Sequence, residues 1–169
     1  YMDEAFPDRS KFPAIEFLTT NRKKTLDVYV YLKEQWERVL GVSVGLKSQE
    51  WPVYLSSLTN KDYHVGYGGW IGDYQDPHTF IDIWITGGGN NRTGWANPQY
   101  DKWVEDALQE LNQTERFKLY SKCEKMVVED ECVIAPLYVT AERCMYKSYV
   151  KGIKTNLMDR ILLKYWYKG

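Results

Sequence analysis

AIEFLTTNRKKTLDVYVYLKEQWERVLGVSVGLKS, residues 14–48, is the stretch whose reading decides the fold. Residues 14–19 are rich in apolar and β-prone side chains and read as a strand. Residues 22–40 read as a helix, with Leu26, Tyr29, Leu32, Trp36 and Val39 at helical spacing and Gly41 as a natural C-terminal stop. Val28, Val30 and Leu32 also alternate, which would suit a strand, but the length of the segment and Gly41 favour the helix. Residues 42–48 alternate again and read as a second strand. A strand, a helix and a strand in succession point to a parallel pair joined by a crossover.

Working outward, Pro7 and Pro13 bracket a short polar loop before the first strand. Beyond the second strand, residues 51–58 read as a short helix with Pro52 in its first turn. Residues 63–69 read as a third strand running into glycines. Asp76-Pro77 is a helix start, Asp as N-cap and Pro at the first position, and the helix carries Phe80, Ile81 and Trp84. After a loop at 87–91, Asn97-Pro98 opens a helix over 98–111 with Tyr100, Trp103, Val104, Ala107 and Leu111 on one face. Thr114 caps a helix over 114–130 that carries Leu119, Cys123, Met126 and Val127. Short strands are predicted at 133–138 and 143–146, and another near 162–167. There is no internal repeat. The pattern is that of an α/β domain spanning 1–169, a central mixed sheet flanked by helices, with ligands expected at the carboxyl ends of strands.

Composition narrows the function. With 169 residues, 44% hydrophobic and 27% charged, the chain can bury a core. A net charge of −1 gives no electrostatic basis for binding nucleic acid or an anionic membrane. No stretch approaches the roughly 20 apolar residues of a membrane span. Seven Trp and 14 Tyr are more rings than a small domain can bury completely, so some are expected to line a cleft or an interface, although an aromatic-rich core explains any single ring equally well. Cys123, Cys132 and Cys144 include no CxxC spacing and only two His are present, which argues against zinc, and no cofactor is implied. A disulfide between two of the thiols and three buried thiols fit about equally. The opening Tyr1-Met2-Asp3-Glu4-Ala5 reads like the middle of a protein.

The segment that carries chemistry is GGWIGDYQDP, residues 68–77. Its glycines allow another backbone to approach closely. Trp70 offers a flat apolar wall, and Asp73 is an acceptor with no basic neighbour in sequence. Together they suit a cationic, extended ligand lying along a strand edge. The competing reading is a plain turn in which Asp73 bonds nearby backbone amides.

GWIGDYQDPHTF resembles the signature of the oligopeptide-binding members of the bacterial extracellular solute-binding family 5. Residues 12–17, Trp36, Leu40-Gly41-Val42, Gln49-Glu50-Trp51, residues 97–101, the 120–124 helix and residues 134–138 sit in the order and spacing of that family. The resemblance implies a type II periplasmic-binding-protein-like lobe, the C-terminal lobe of a two-lobed protein. It implies a peptide ligand, a membrane-embedded ABC permease as partner of the full-length protein, and a periplasmic or extracytoplasmic location, with lipid anchoring as one form. Asp73 would pair with the ligand's α-amino group. Gly69 and Trp70 would line the extended peptide, Trp51 would contribute to side-chain pockets, and Asn90 or Asn91 would lie in a bordering loop. The chain departs from the best-known relatives at Tyr67, where they carry Arg, at Thr25, where they carry His, and at Ile71, where they carry Cys. Tyr67 accordingly stands among the ligand-facing positions in place of a carboxylate-binding Arg.

Other readings are weaker. The same fold could hold a dipeptide, a nickel complex or an oligosaccharide stacked on Trp51 and Trp70. An enzyme would have to use Asp73, Asp76 and Asp82, yet Asp76 is explained as a cap, and His64 and His78 lack a Ser or Cys partner at recognisable spacing, so no catalysis is expected. Nothing signals an adhesion or structural role. Trp51 and Trp70 are expected to be partly exposed, and Trp36 and Trp103 to pack inward.

Overall fold

Four consecutive residues of one strand, Phe17, Leu18, Thr19 and Thr20, are each at most 1% exposed. Successive side chains on a strand point to opposite faces, so this strand is covered on both. The computed structural model describes residues 1–141, 144–156, 158 and 160–169. They divide into two compact units, Tyr1–Gly69 and Trp70–Gly169.

In the first unit a short helix, α1 (Met2–Ala5), precedes the buried strand, β1 (Ile15–Thr20). Helix α2 (Lys23–Leu40) then leads to β2 (Val44–Gln49), and α3 (Trp51–Thr59) leads to β3 (Val65–Gly66). The sheet order is β2-β1-β3. Both pairings are parallel, running from Ile15 opposite Val44 to Thr20 opposite Gln49, and with Phe17 opposite Val65. The expected mixed sheet is therefore, among the described residues, a parallel one, as crossover helices require. Phe17 and Leu18 serve opposite faces. Phe17 joins Tyr29, Val42 and Val44, with the Tyr29 and Trp36 rings edge-on at 5.7 and 4.9 Å. Leu18 joins Tyr54 and Leu58 of α3.

Helix α2 ends where Gly41 takes φ +66° and returns its N–H to the Glu37 carbonyl. A glycine adopts that left-handed conformation without a Cβ clash. Trp36 packs inward as expected, but Val39 does not: it is 70% exposed, and Leu40 packs against the core in its place. At about 100° per residue, Leu40 lies about 20° from Tyr29 around the helix and Val39 about 80°. The third strand is shorter than predicted. Beyond Gly66 the ladder ends, although the Tyr67 N–H still donates to the Leu18 carbonyl at 3.1 Å.

The second unit is mainly helical: α4 (His78–Ile81) with a 3-10 turn at Asp82–Trp84, α5 (Pro98–Gln109), and α6 (Gln113–Lys125) with a π-helical turn at Met126–Asp130. A small antiparallel pair, β4 (Val150–Lys151) and β5 (Tyr167–Lys168), follows. Tyr100, Val104, Cys123 and Val127 form its core, with Ile81, Trp84 and Trp103 packed against them. Asn97 caps α5 as predicted, accepting from the Gln99 and Tyr100 amides. The cap of α6 is Asn112, which accepts from the Thr114 amide at 3.0 Å, so Thr114 lies inside the helix it was expected to cap. Leu111 is 98% exposed because α5 stops short of it, and Phe80 is exposed.

The strand predicted at 133–138 does not form. Val133 and Ile134 pack on the core, but residues 135–141 are exposed, and among the described residues no strand pairs with them. Of the strand predicted at 143–146, Arg143 lies outside the described residues and 144–146 are not in a strand. Near 162–167 a 3-10 turn, Leu163–Tyr165, precedes β5. All three thiols are free, Cys123 buried and Cys132 and Cys144 exposed, in place of three buried ones. Among the described residues, no helix is long and apolar enough to cross a membrane.

These packing differences are measurable. Phe17→Ala should destabilise the protein by about 3–5 kcal/mol in urea denaturation, whereas Val39→Ala should change it by less than about 0.5 kcal/mol.

Candidate functional site

The site-bearing segment enters the second unit at Trp70 as irregular backbone, so side chains must hold it. Thr79, on α4 and 1% exposed, does so. Its Oγ1 accepts from the Asp73 backbone N–H at 3.1 Å and from the Trp70 indole N–H at 3.4 Å. A Cβ built on buried Gly72 would lie 3.2 Å from the Thr79 methyl and 3.3 Å from the Phe80 ring, so a side chain there would require those neighbours to shift slightly. Trp70 keeps 36% of its surface exposed. Asp73 is exposed, and among the described residues its carboxylate accepts no hydrogen bond and joins no ion pair.

Three residues on, Asp76 is in the opposite state. Its Oδ1 accepts from the His78 amide and from an Arg116 terminal nitrogen, both at 2.9 Å, and from the Tyr120 hydroxyl at 3.3 Å. Its Oδ2 takes the other Arg116 terminal nitrogen at 2.9 Å. Arg116 also donates through Nε to the Ala107 carbonyl at 3.1 Å. Burial opposes the Asp76 charge, but the His78 amide, Arg116 and Tyr120 outweigh it and hold the carboxyl below its ordinary value. The third aspartate, Asp82, accepts from the Tyr74 hydroxyl at 3.5 Å. Amide-bonding in the turn thus falls to Asp76, not to Asp73.

In the loop after α4, Asn90 is exposed, while Asn91 is buried and fully engaged. The Asn91 side chain donates to the carbonyls of Trp84, Ile85 and Trp95 and accepts from the Thr93 hydroxyl at 2.8 Å. Asn91 is therefore a loop anchor. In the first unit, Trp51 opens α3 with 43% exposure, its ring stacked with Tyr54 at 5.7 Å and the Arg22 guanidinium 5.1 Å from its centre. Tyr67 is half-buried, edge-on to Tyr29 at 5.9 Å, and its carbonyl accepts from the Tyr54 hydroxyl. Gly69 is exposed; the Tyr67 hydroxyl would lie 3.5 Å from a Cβ there.

Sequence reasoning singled out Asp73, Trp70 and Asp76, and missed Thr79 and Arg116. It expected Asp76 as N-cap and Pro77 as the first helical residue, whereas α4 begins at His78 with Pro77 as its N-cap, and Asp76 accepts the His78 amide from one residue further back. A threonine three residues after an Asp-Pro helix start is weak as a signal. Arg116 reaches Asp76 across 40 residues, which no local pattern discloses.

The Asp76 arrangement predicts a pH dependence. A carboxyl lowered in the folded state contributes stability that is fully present above its unfolded value, about 3.9, and is lost as pH falls through the lower folded value. Asp76→Asn should destabilise the protein by about 1–3 kcal/mol near neutrality and flatten the stability profile below about pH 4, as read from urea midpoints across pH.

The fold has close counterparts. The Haemophilus influenzae OppA complex with RPPGFSPFR matches at a TM-score of 0.87 and 26% identity, over 99% of this chain and 33% of that one. Among curated proteins, the oligopeptide-binding protein OppA of Bacillus subtilis is 37% identical over 72% of this chain and 22% of its own length. The dipeptide-binding protein DppE of the same organism is 30% identical over 92% of this chain and 28% of its own. The chain thus spans about a fifth to a third of the length of these relatives. The profile of the bacterial extracellular solute-binding proteins, family 5 middle region, covers residues 2–92. With over half its length inside that match, the chain belongs to the bacterial extracellular solute-binding proteins of family 5.

Proposed function

We propose that this chain is part of the substrate-binding component of an ABC uptake transporter, and that Asp73 holds the α-amino group of a peptide ligand. The observation that carries this reading is the exposed Asp73 carboxylate, without a partner among the described residues, on a turn fixed by Thr79. An α-amino group has a reference pKa of roughly 7.7–8.0 and is largely cationic at neutral pH. Enclosing it in a site that excludes water is costly unless an opposite charge is waiting. A short carboxylate on a restrained turn supplies that charge with little side-chain freedom to lose. Trp70, held by its indole N–H and still partly exposed, gives the adjoining residues an apolar wall.

The names of its relatives support a peptide, since OppA of B. subtilis is an oligopeptide-binding protein and the H. influenzae OppA structure holds RPPGFSPFR. Exposed Gly69, Trp51 and Asn90, and half-buried Tyr67, are proposed as further ligand-facing positions. The chain would form the C-terminal lobe, working outside the cytoplasm with a membrane-embedded permease and, in one form, a lipid anchor. It is a carrier with no catalytic step. A dipeptide ligand is the second reading, favoured by the match to DppE over 92% of the chain.

Calorimetric titration of the full-length protein with di-, tri- and tetra-alanine, free and N-acetylated, tests both readings. Asp73→Asn should weaken binding of the free peptides by about 1.5–3 kcal/mol, the scale of a hydrogen bond to a charged group. Acetylation should cost wild type a similar amount and the variant little more. Full additivity of the two changes would remove Asp73 from the amino-group role, and a dipeptide preferred over longer peptides would favour the second reading. The isolated chain should bind far more weakly than the full-length protein, because the opposing lobe supplies much of the enclosing surface. Equal affinity would contradict the two-lobed account.

A further inference from the structure

We infer that Thr79 is a positioning residue for amino-group recognition, setting the Asp73 carboxylate and the Trp70 indole together. The inference rests on the reading of Asp73 as the amino-group partner and adds the residue that holds it in place.

Both branches of the Thr79 side chain are used. The hydroxyl accepts from the Asp73 amide and from the Trp70 indole. The methyl lies against Gly72, where an added Cβ would approach it to 3.2 Å. One buried side chain therefore bonds residues 70 and 73 and occupies the space that a side chain at 72 would need. It is also stiff, because a β-branched residue has few χ1 choices in a helix. Its own position is fixed from below: its N–H donates to the Asp76 carbonyl at 3.3 Å, and the Asp76 carboxylate is gripped by Arg116 of α6. Restraint runs from α6 through Arg116, Asp76 and α4 to Thr79, and from there to the turn. A carboxylate with no bond of its own among the described residues depends on its backbone for direction, and the Asp73 amide is the backbone group tied here. Without that tie the turn would have to be ordered by the ligand, at the expense of affinity.

The test measures the ratio of dissociation constants for N-acetylated and free tri-alanine in the full-length protein, with thermal melts to confirm folding. Thr79→Val keeps the shape and removes the acceptor. It should lower the ratio about tenfold by weakening the free peptide, while the acetylated peptide changes little. Thr79→Ser keeps the acceptor and should retain most of the wild-type ratio. If the valine variant does not fold, Thr79→Ser against Thr79→Ala isolates the hydroxyl in the same way. A ratio unchanged on loss of the hydroxyl, equal weakening of both peptides, or a serine variant that falls as far as the variant lacking the hydroxyl would overturn the inference. Asp73→Asn in the same titration separates the two layers. If it leaves the ratio intact, the amino-group reading itself fails. If it collapses the ratio while Thr79→Val does not, only the positioning role fails.

Discussion

The two-pronged bond from Arg116 to Asp76 holds the segment that carries Trp70 and Asp73. A guanidinium is planar and presents its donors in a fixed fork, so it can meet both carboxylate oxygens and still offer Nε elsewhere. Here Nε goes to the Ala107 carbonyl in the last turn of α5. One side chain on α6 thus ties α5, α6 and the loop that bears the site. An ammonium group in its place would be a point charge without that fork. The two partners keep 28% and 27% of their side-chain surface, so solvent weakens the bond less than it would a fully exposed pair.

Three aspartates within ten residues meet three different fates, and neighbouring donors decide each. Asp76 faces an amide, a guanidinium and a phenol and satisfies all of them. Asp82 accepts the Tyr74 hydroxyl, whose own proton is held more firmly because of burial and the nearby Asp82 and Asp76 charges. Among the described residues the Asp73 carboxylate has no partner, and it is Thr79 that satisfies the Asp73 amide. The turn is thereby held without the Asp73 carboxylate.

The strand–helix–strand at 14–48 was legible because its signals are local: a β-prone run, a helical stripe and a stopping glycine. Its error, Val39 for Leu40, came from accepting a three-residue step where the stripe had already drifted. Caps were legible when an asparagine preceded a proline, as at Asn97, and misplaced by two residues at Asn112, where two polar residues competed. The strands expected after residue 132 were not legible, since alternation describes a side-chain pattern while a strand exists only with a partner ladder. The candidate site divides the same way. Asp73 and Trp70 lie in one short motif, whereas Thr79 and Arg116 matter through contacts that only the folded chain brings about.

The close approach of Gly72 to Thr79 binds the future of the two positions together. A methyl added at position 72 would press on a buried threonine methyl at 3.2 Å and on the Phe80 ring at 3.3 Å. The ring sits at the surface and has room to swing; the threonine does not. A side chain at 72 should therefore go with serine rather than threonine at 79, a pairing that would show as covariation between the two positions.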